Sequence, residues 1–185
     1  MTSPGKPFDY QPILTGQHIQ LRPLAENDFD ALFQVARDPL IWQQHPERNR
    51  HEIGVFSRFL EQAMVAPGAL VVTQLSSRNI VGSSRYYGLN TDRGEIEIGW
   101  SFLARRCWGG VINQEMKRLM VEHAFNYVDT IVFFVGEGNI RSQKAVEKLG
   151  VEHVGERLST GGAIDLRYEL HKSRWETLMD QARQG

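Results

Sequence analysis

The chain has 185 residues, of which 41% are hydrophobic and 23% charged, with a formal net charge of -1. That length and composition imply one globular domain with its own core. So small a charge excludes a nucleic-acid binder held by bulk electrostatics, and no apolar run approaches the roughly 20 residues of a membrane span. Cys107 is the only cysteine, so no internal disulfide can form, which fits a reducing compartment. The N-terminal MTSPGKPFDY has no signal-peptide-like apolar core, and a cytoplasmic protein is the expectation.

Residues 1–16 carry Pro4, Pro7, Pro12 and two glycines and read as an irregular lead-in, leaving 17–185 as a single domain. In His18–Leu24, Ile19 and Leu21 alternate with Gln20 and Arg22, the period of a strand. Asn27 can cap a helix to about Arg37, which Pro39 stops. Ile53, Phe56, Leu60, Ala63 and Met64 give Glu52–Val65 a helical period, ended by Pro67-Gly68. Three strands follow at about Ala69–Leu75, Ile80–Leu89 and Glu95–Leu103, joined by turns suited to antiparallel hairpins. After a glycine loop, Ile112, Met116, Leu119, Met120, His123, Ala124 and Tyr127 mark one face of a long helix. Ile131–Val135 is all apolar, as in a strand buried on both faces. Asn139 and Gly150 are apt N-cap and C′ residues of another helix. Strands at about Glu152–Arg157 and Ile164–Leu170 come next, and Ser173 with Glu176 suggests a capping box for a terminal helix. The order β-α-α-β-β-β-α-β-α-β-β-α predicts an α/β fold, a mixed sheet with helices on both faces.

The most informative stretch joins the third of those consecutive strands to the long helix through Arg105, Arg106, Cys107, Trp108, Gly109 and Gly110. Glycines let a backbone approach a ligand with no Cβ in the way. Unpaired N–H groups converge at the positive end of the helix dipole, the elements of an anion site. A pyrophosphate is the natural occupant, although a glycine turn with solvated arginines has the same composition.

Glu97-Ile-Gly-Trp100 before the loop, Trp108-Gly-Gly with Glu115 after four further residues, and Asn139-x-x-Ser142 followed by Glu147-Lys-Leu-Gly150 resemble the GNAT family of N-acetyltransferases. Within it they are most similar to the branch of ribosomal-protein alanine acetyltransferases. The resemblance spans roughly residues 17–172, and the element order agrees with that family's fold. It implies acetyl-CoA as co-substrate and no metal. The pyrophosphate would sit on the amides around Arg106–Asn113, including Trp108, Gly109, Gly110, Val111 and Ile112, with Arg105 adding charge. The pantetheine arm would pair with the strand through Trp100, Phe102 and Leu103, in a gap where that strand splays from Ile131–Val135. Asn139 matches a pantetheine contact, and Ser142 the position proposed to protonate the leaving thiolate. Trp42, Gln43 and His45 match the acceptor pocket. Two departures stand out. Val111 replaces a small loop residue, and Val146 replaces the tyrosine acid of many members.

Amine acetylation needs a proton acceptor, an oxyanion partner and a leaving thiolate. On the strand 95–103, Glu95, Glu97, Gly99 and Ser101 should share a polar face, and Ile96, Ile98, Trp100 and Phe102 an apolar one. Glu97 is the first candidate base, although a charged strand residue can simply face water, and Glu156 is the reserve. Ser142 shares its helix face with Ala145, Val146 and Leu149 by spacing, or is a first-turn serine bonding local backbone. The six histidines are scattered without metal-like grouping. His123 reads as a core residue, Trp108 as packing its loop, and Trp42 equally well as a loop anchor. Nothing marks Cys107 as a nucleophile. The expected activity is acetyl transfer from acetyl-CoA to a primary amine, on a small molecule or a protein N-terminus, by a monomer or homodimer. The alternatives are a succinyl or other acyl transferase, for which Arg85 is a conceivable cationic contact, and a CoA-binding module without turnover.

Overall fold

The computed structural model describes residues 6–159 and 161–184. Its strands are β1 (Leu14–Thr15), β2 (Ile19–Pro23), β3 (Ala69–Gln74), β4 (Ile80–Asn90), β5 (Glu95–Leu103), β6 (Thr130–Gly136), β7 (Glu152–Leu158) and β8 (Ile164–His171). They form one sheet in the order β1-β2-β3-β4-β5-β6-β8-β7. Every neighbouring pair is antiparallel except β5 with β6. The helices are α1 (Phe29–Ala36), α2 (Pro39–Trp42), α3 (Ile53–Val65), α4 (Val111–Ala124), α5 (Ile140–Glu147) and α6 (Lys172–Gln184). The mixed sheet expected from the sequence is the sheet observed, and no described helix is long and apolar enough to cross a membrane.

Strand alternation divides the interior into two cores. On β3, Leu70 and Val72 join one core while Ala69 and Val71 join the other, because successive side chains leave a strand on opposite faces. The larger core packs Met116, Met120 and Val121 of α4 against Ile96, Ile98 and Ile131, with Val146 of α5 and Trp175 of α6 in the same cluster. The smaller one packs Leu32, Trp42, Phe56, Phe59 and Leu60 against Val71 and Phe102. Phe56 is wholly buried and touches the rings of Phe29, Phe33, Phe59 and Phe102, so truncating it to alanine would cost about 3–5 kcal/mol. This second core holds α1–α3 over the half of the sheet that borders the candidate site.

Three local features differ from expectation. Pro39 ends no element alone: Asp38 accepts the Leu40 N–H as a cap, and Pro39 opens the short α2, the place where proline's fixed φ suits a helix. Helix α6 starts at Lys172, directly off β8, so Ser173 is already inside its first turn instead of capping it. Within the lead-in, Phe8 is buried among Tyr10, Tyr86, His123 and Tyr127, His123 Nε2 lies 2.8 Å from the Asp9 carbonyl oxygen, and Leu14–Thr15 pairs with β2. Residues 1–5 of that segment lie outside the described residues.

Glu115 of the tryptophan-glycine motif is part of this scaffold. Its carboxylate accepts from the N–H groups of Gln17, His18 and Ile19. Against the opposing effect of burial, those bonds hold its pKa below the usual range. A Cβ at Gly16 would collide with that carboxylate at 2.5 Å. Gly150 is equally constrained, at φ +82° with the Leu178 side chain 2.5 Å from where a Cβ would stand.

Candidate active site

Strands β5 and β6 run parallel but share only the pairs Glu95–Thr130, Ile96–Ile131 and Glu97–Val132. Beyond Glu97 they part, although β5 continues to Leu103 and β6 to Gly136. Facing edges of both strands therefore lose their ladder partner at the centre of the sheet. Backbone donors and acceptors left that way need another partner, and an extended ligand arm can supply it as an added strand does.

The edge of β5 that borders this gap is distorted by a bulge. Arg85 pairs with Gly99 and Ser83 with Phe102, so two residues of β5 face one of β4. Trp100 absorbs the extra residue at φ +52°, a conformation costly for a tryptophan. The bulge reverses the side-chain alternation beyond it. Trp100 and Phe102 lie with the second core, on the side of Glu97 and Gly99, and not on the face of Ile96 and Ile98 as strict alternation predicts. Ser101 turns to the opposite side, its Oγ 2.7 Å from Ser84 Oγ. Leu103 is buried in the larger core.

After β5 the chain makes a 3-10 turn at Arg105–Cys107 and enters α4. Gly109 has φ +66°, and among the described residues a Cβ added to it meets nothing within 4 Å, while one at Gly110 would meet the Trp108 carbonyl oxygen at 3.9 Å. The N-cap of α4 is Gly110, with no side-chain cap. The first-turn N–H groups of Val111, Ile112 and Asn113 are thus available beside an open glycine cradle at the positive helix end. Val111 is an exposed side chain, Ile112 is buried beneath and Asn113 is half-buried. The two arginines differ: Arg105 is tied to Asp38, whereas Arg106 is exposed. Trp108 anchors the loop, donating from Nε1 to the Leu103 carbonyl at 2.9 Å. The Arg141 guanidinium lies 3.8 Å from the centre of its ring. Cys107 is buried and its thiol pKa is raised by that burial, the opposite of an activated nucleophile.

Across the gap, α5 begins at Asn139. Asn139 is buried and its Oδ1 accepts the Ser142 N–H at 3.3 Å. Ser142 is half-buried, on the face shared by Ala145, Val146 and Leu149. Val146 fills the larger core. Arg141 reaches from α5 to the carbonyl of Ile41, 2.6 Å from Nη2, and so links α5 to α2 as well as to Trp108.

Glu97 is no solvated strand residue. It is 9% exposed, its carboxylate is 3.7 Å from Arg157 Nη1, and burial pushes its pKa up to about 7 against the pull of Arg157. Gly99 makes room for it, since a Cβ there would lie 3.1 Å from Glu97 Oε1. Glu156 is exposed and pairs with Leu166, whereas its neighbour Arg157 pairs with Asp165. The arginine, and not the reserve carboxylate, reaches the site.

Trp42 is buried and donates from Nε1 to the Ala36 carbonyl at 2.7 Å. It anchors its loop, and its ring also meets His45 and Phe102. His45 Nδ1 accepts from the Glu47 N–H, and burial together with Arg50 lowers its pKa to about 3, so it is neutral at physiological pH. Arg50, buried and 4.5 Å over the Phe59 ring, and Arg85, 4.9 Å over the Trp100 ring, complete this wall. Arg50, Arg141 and Arg157 are absent from the candidates read off the sequence. Each comes from an irregular segment or a different element, where spacing carries no signal.

The acetyltransferase (GNAT) domain model matches residues 18–152. A GNAT-family N-acetyltransferase from Brucella melitensis is similar in fold, with TM-score 0.83, 18% identity, and coverage of 95% of this chain and 85% of that one. The GNAT-family acetyltransferase of Bacillus anthracis gives 0.73 and 15%, over 88% and 99%. Spermidine N-acetyltransferase from Vibrio cholerae, in complex with CoA and spermine, gives 0.67 and 14%, over 86% and 98%. No curated protein sequence matches the chain. The family model spans most of the chain, from β2 to the start of β7, and includes the splayed strands and the glycine cradle. The chain belongs to the GNAT acetyltransferase family.

Proposed function

We propose that residues 17–185 form one acetyltransferase domain that moves an acetyl group from acetyl-CoA to a primary amine by direct attack in a ternary complex. The observation that carries this reading is the parting of β5 and β6 beyond Glu97, beside a capless, glycine-opened helix N-terminus. In this reading the amides from Arg106 to Asn113 hold the pyrophosphate, and the exposed Arg106 adds the charge, because Arg105 is engaged by Asp38. The free edge at Trp100–Leu103 and Asn139 hold the pantetheine arm. Bound acetyl-CoA supplies an activated thioester, and the chain supplies position and proton transfers.

Glu97 accepts the proton of the attacking amine. Its pKa near 7 suits a base working at neutral pH, where a carboxylate of ordinary pKa would take up a proton less readily. Ser142 Oγ, on the half-buried face of α5, protonates the departing sulfur. Val146 leaves no tyrosine to do so from its position. Trp42 and His45 shape the acceptor side without titrating.

Initial rates of thiol release with paired variation of acetyl-CoA and amine test the reading. Intersecting double-reciprocal lines support a ternary complex, whereas parallel lines, or no release with any amine of a broad panel, refute it.

A further inference from the structure

Five arginines stand around the gap; Arg141 donates to the Ile41 carbonyl, and three others have carboxylate partners. Arg50 is paired with Glu47, Arg157 with Asp165 and Glu97, and Arg167 with Glu95 and Glu169. Arg85 has none among the described residues. It is 6% exposed, and its Nε is the one buried side-chain nitrogen or oxygen with no hydrogen-bond partner among them. Its guanidinium lies over aromatic faces, 4.9 Å from the Trp100 ring centre and 5.8 Å from that of Phe59. A buried, unpaired cation is costly, and a guanidinium offers a planar set of donors matched to a carboxylate.

Its place in the fold says where that carboxylate would come from. Arg85 stands opposite Gly99 on the β4–β5 ladder, just beyond the last β5–β6 pair, on the face of Glu97 and Trp100. That is the part of the sheet where acyl donor and amine must meet. Glu97 is near enough to offset the charge in part, but its carboxylate lies against Arg157 and leaves the donors of Arg85 unbonded. With Arg50 also buried nearby, this wall repels a polycationic acceptor and attracts an anionic one.

We infer that Arg85 is the receptor for a carboxylate carried by one of the two reactants, either on the amine acceptor or at the far end of the acyl chain. The inference rests on the acyl-transfer reading above and narrows its substrate class. On either source the carboxylate takes the donors that are unmet in the free protein.

Matched pairs test it in wild type, Arg85→Gln and Arg85→Lys. On the acceptor side, amino acids are compared with their amides by kcat/KM for thiol release. On the donor side, succinyl-CoA is compared with acetyl-CoA by Kd. Succinate against its diamide, titrated into CoA-loaded protein, repeats the comparison without turnover. A charge-assisted hydrogen-bonded pair gives a preference of about ten- to hundredfold. The expected result is such a preference for the carboxylate member on one side, lost in Arg85→Gln and partly kept in Arg85→Lys. Arg85→Gln should also melt no lower than wild type in the absence of ligand, because it removes an unpaired charge. Ratios near one on both sides, or a preference that survives Arg85→Gln, would overturn the inference, and a lower melting temperature with unchanged ratios would make Arg85 structural. If neither thioester bound at all, the acyl-transfer reading itself would fall; binding of acetyl-CoA without any carboxylate preference would sink this inference alone.

Discussion

Replacing Glu97 by glutamine tests, without any acceptor, whether the carboxyl is poised as a base. Burial raises its pKa from 4.5 to about 7, a gap worth about 3 kcal/mol between the two protonation states. The folded protein therefore holds this proton more tightly than the unfolded chain. The resulting stabilisation is fully present below pH 4.5 and is lost as pH rises through about 7. Glutamine mimics the protonated form and carries no such loss. Glu97→Gln should match wild type near pH 4.5 and become more stable by up to about 3 kcal/mol above pH 8, roughly 6–12 °C in Tm for a chain of this size. Urea and thermal melts of both proteins across pH 5–9 would show this as diverging curves. The same variant should lower kcat/KM by about 10²–10⁴. A stability difference that stays constant across the range, or that favours wild type at high pH, would refute the buried environment on which the catalytic role depends.

Ser142→Ala should slow the chemical step by about tenfold or more and leave acetyl-CoA affinity unchanged, as read by single-turnover kinetics and calorimetry; an unslowed step would move thiolate protonation elsewhere. Asn139→Ala removes the N-cap of α5 and should cost about 1 kcal/mol in urea melts, with weaker acetyl-CoA binding besides. Lys117, buried on α4 with its ammonium 5.7 Å from the Phe133 ring centre, has its pKa lowered by burial from 10.5 to about 8. The folded state thus binds this proton less tightly, at a cost felt below pH 8 and relieved as pH rises toward 10.5. Lys117→Met should stabilise by about 3 kcal/mol at pH 7, and a gain that did not shrink between pH 8 and 10 would contradict this.

Most elements were legible because their periods are strong: β5 runs over Glu95–Leu103 as read, α3 starts one residue late, and α4 ends at Ala124, short of the expected Tyr127. Helix α2 was hidden because Pro39 signals both a stop and a start, and only the Asp38 side chain decides between them. The glycine-opened start of α4 was legible because glycines and a helix start are local features. The acceptor side was not. The bulge at Trp100 depends on register with β4, and no count along β5 alone reveals it. Glu97 was read as the first candidate base, but its burial was not legible, because the strand carrying Arg157, which lies against it, is far away in sequence. Arg105 was read as free charge because its partner Asp38 is 67 residues away. Glu115, a motif residue, proved to hold β1 and β2 in place through its carboxylate.

The most direct test of the central claim is calorimetric titration of wild type and Gly109→Glu with acetyl-CoA. Saturable one-site binding by wild type is predicted, with loss in the variant, where a carboxylate and a strained φ +66° residue enter the proposed phosphate cradle. No binding by wild type, or equal affinity in the variant, would contradict the account.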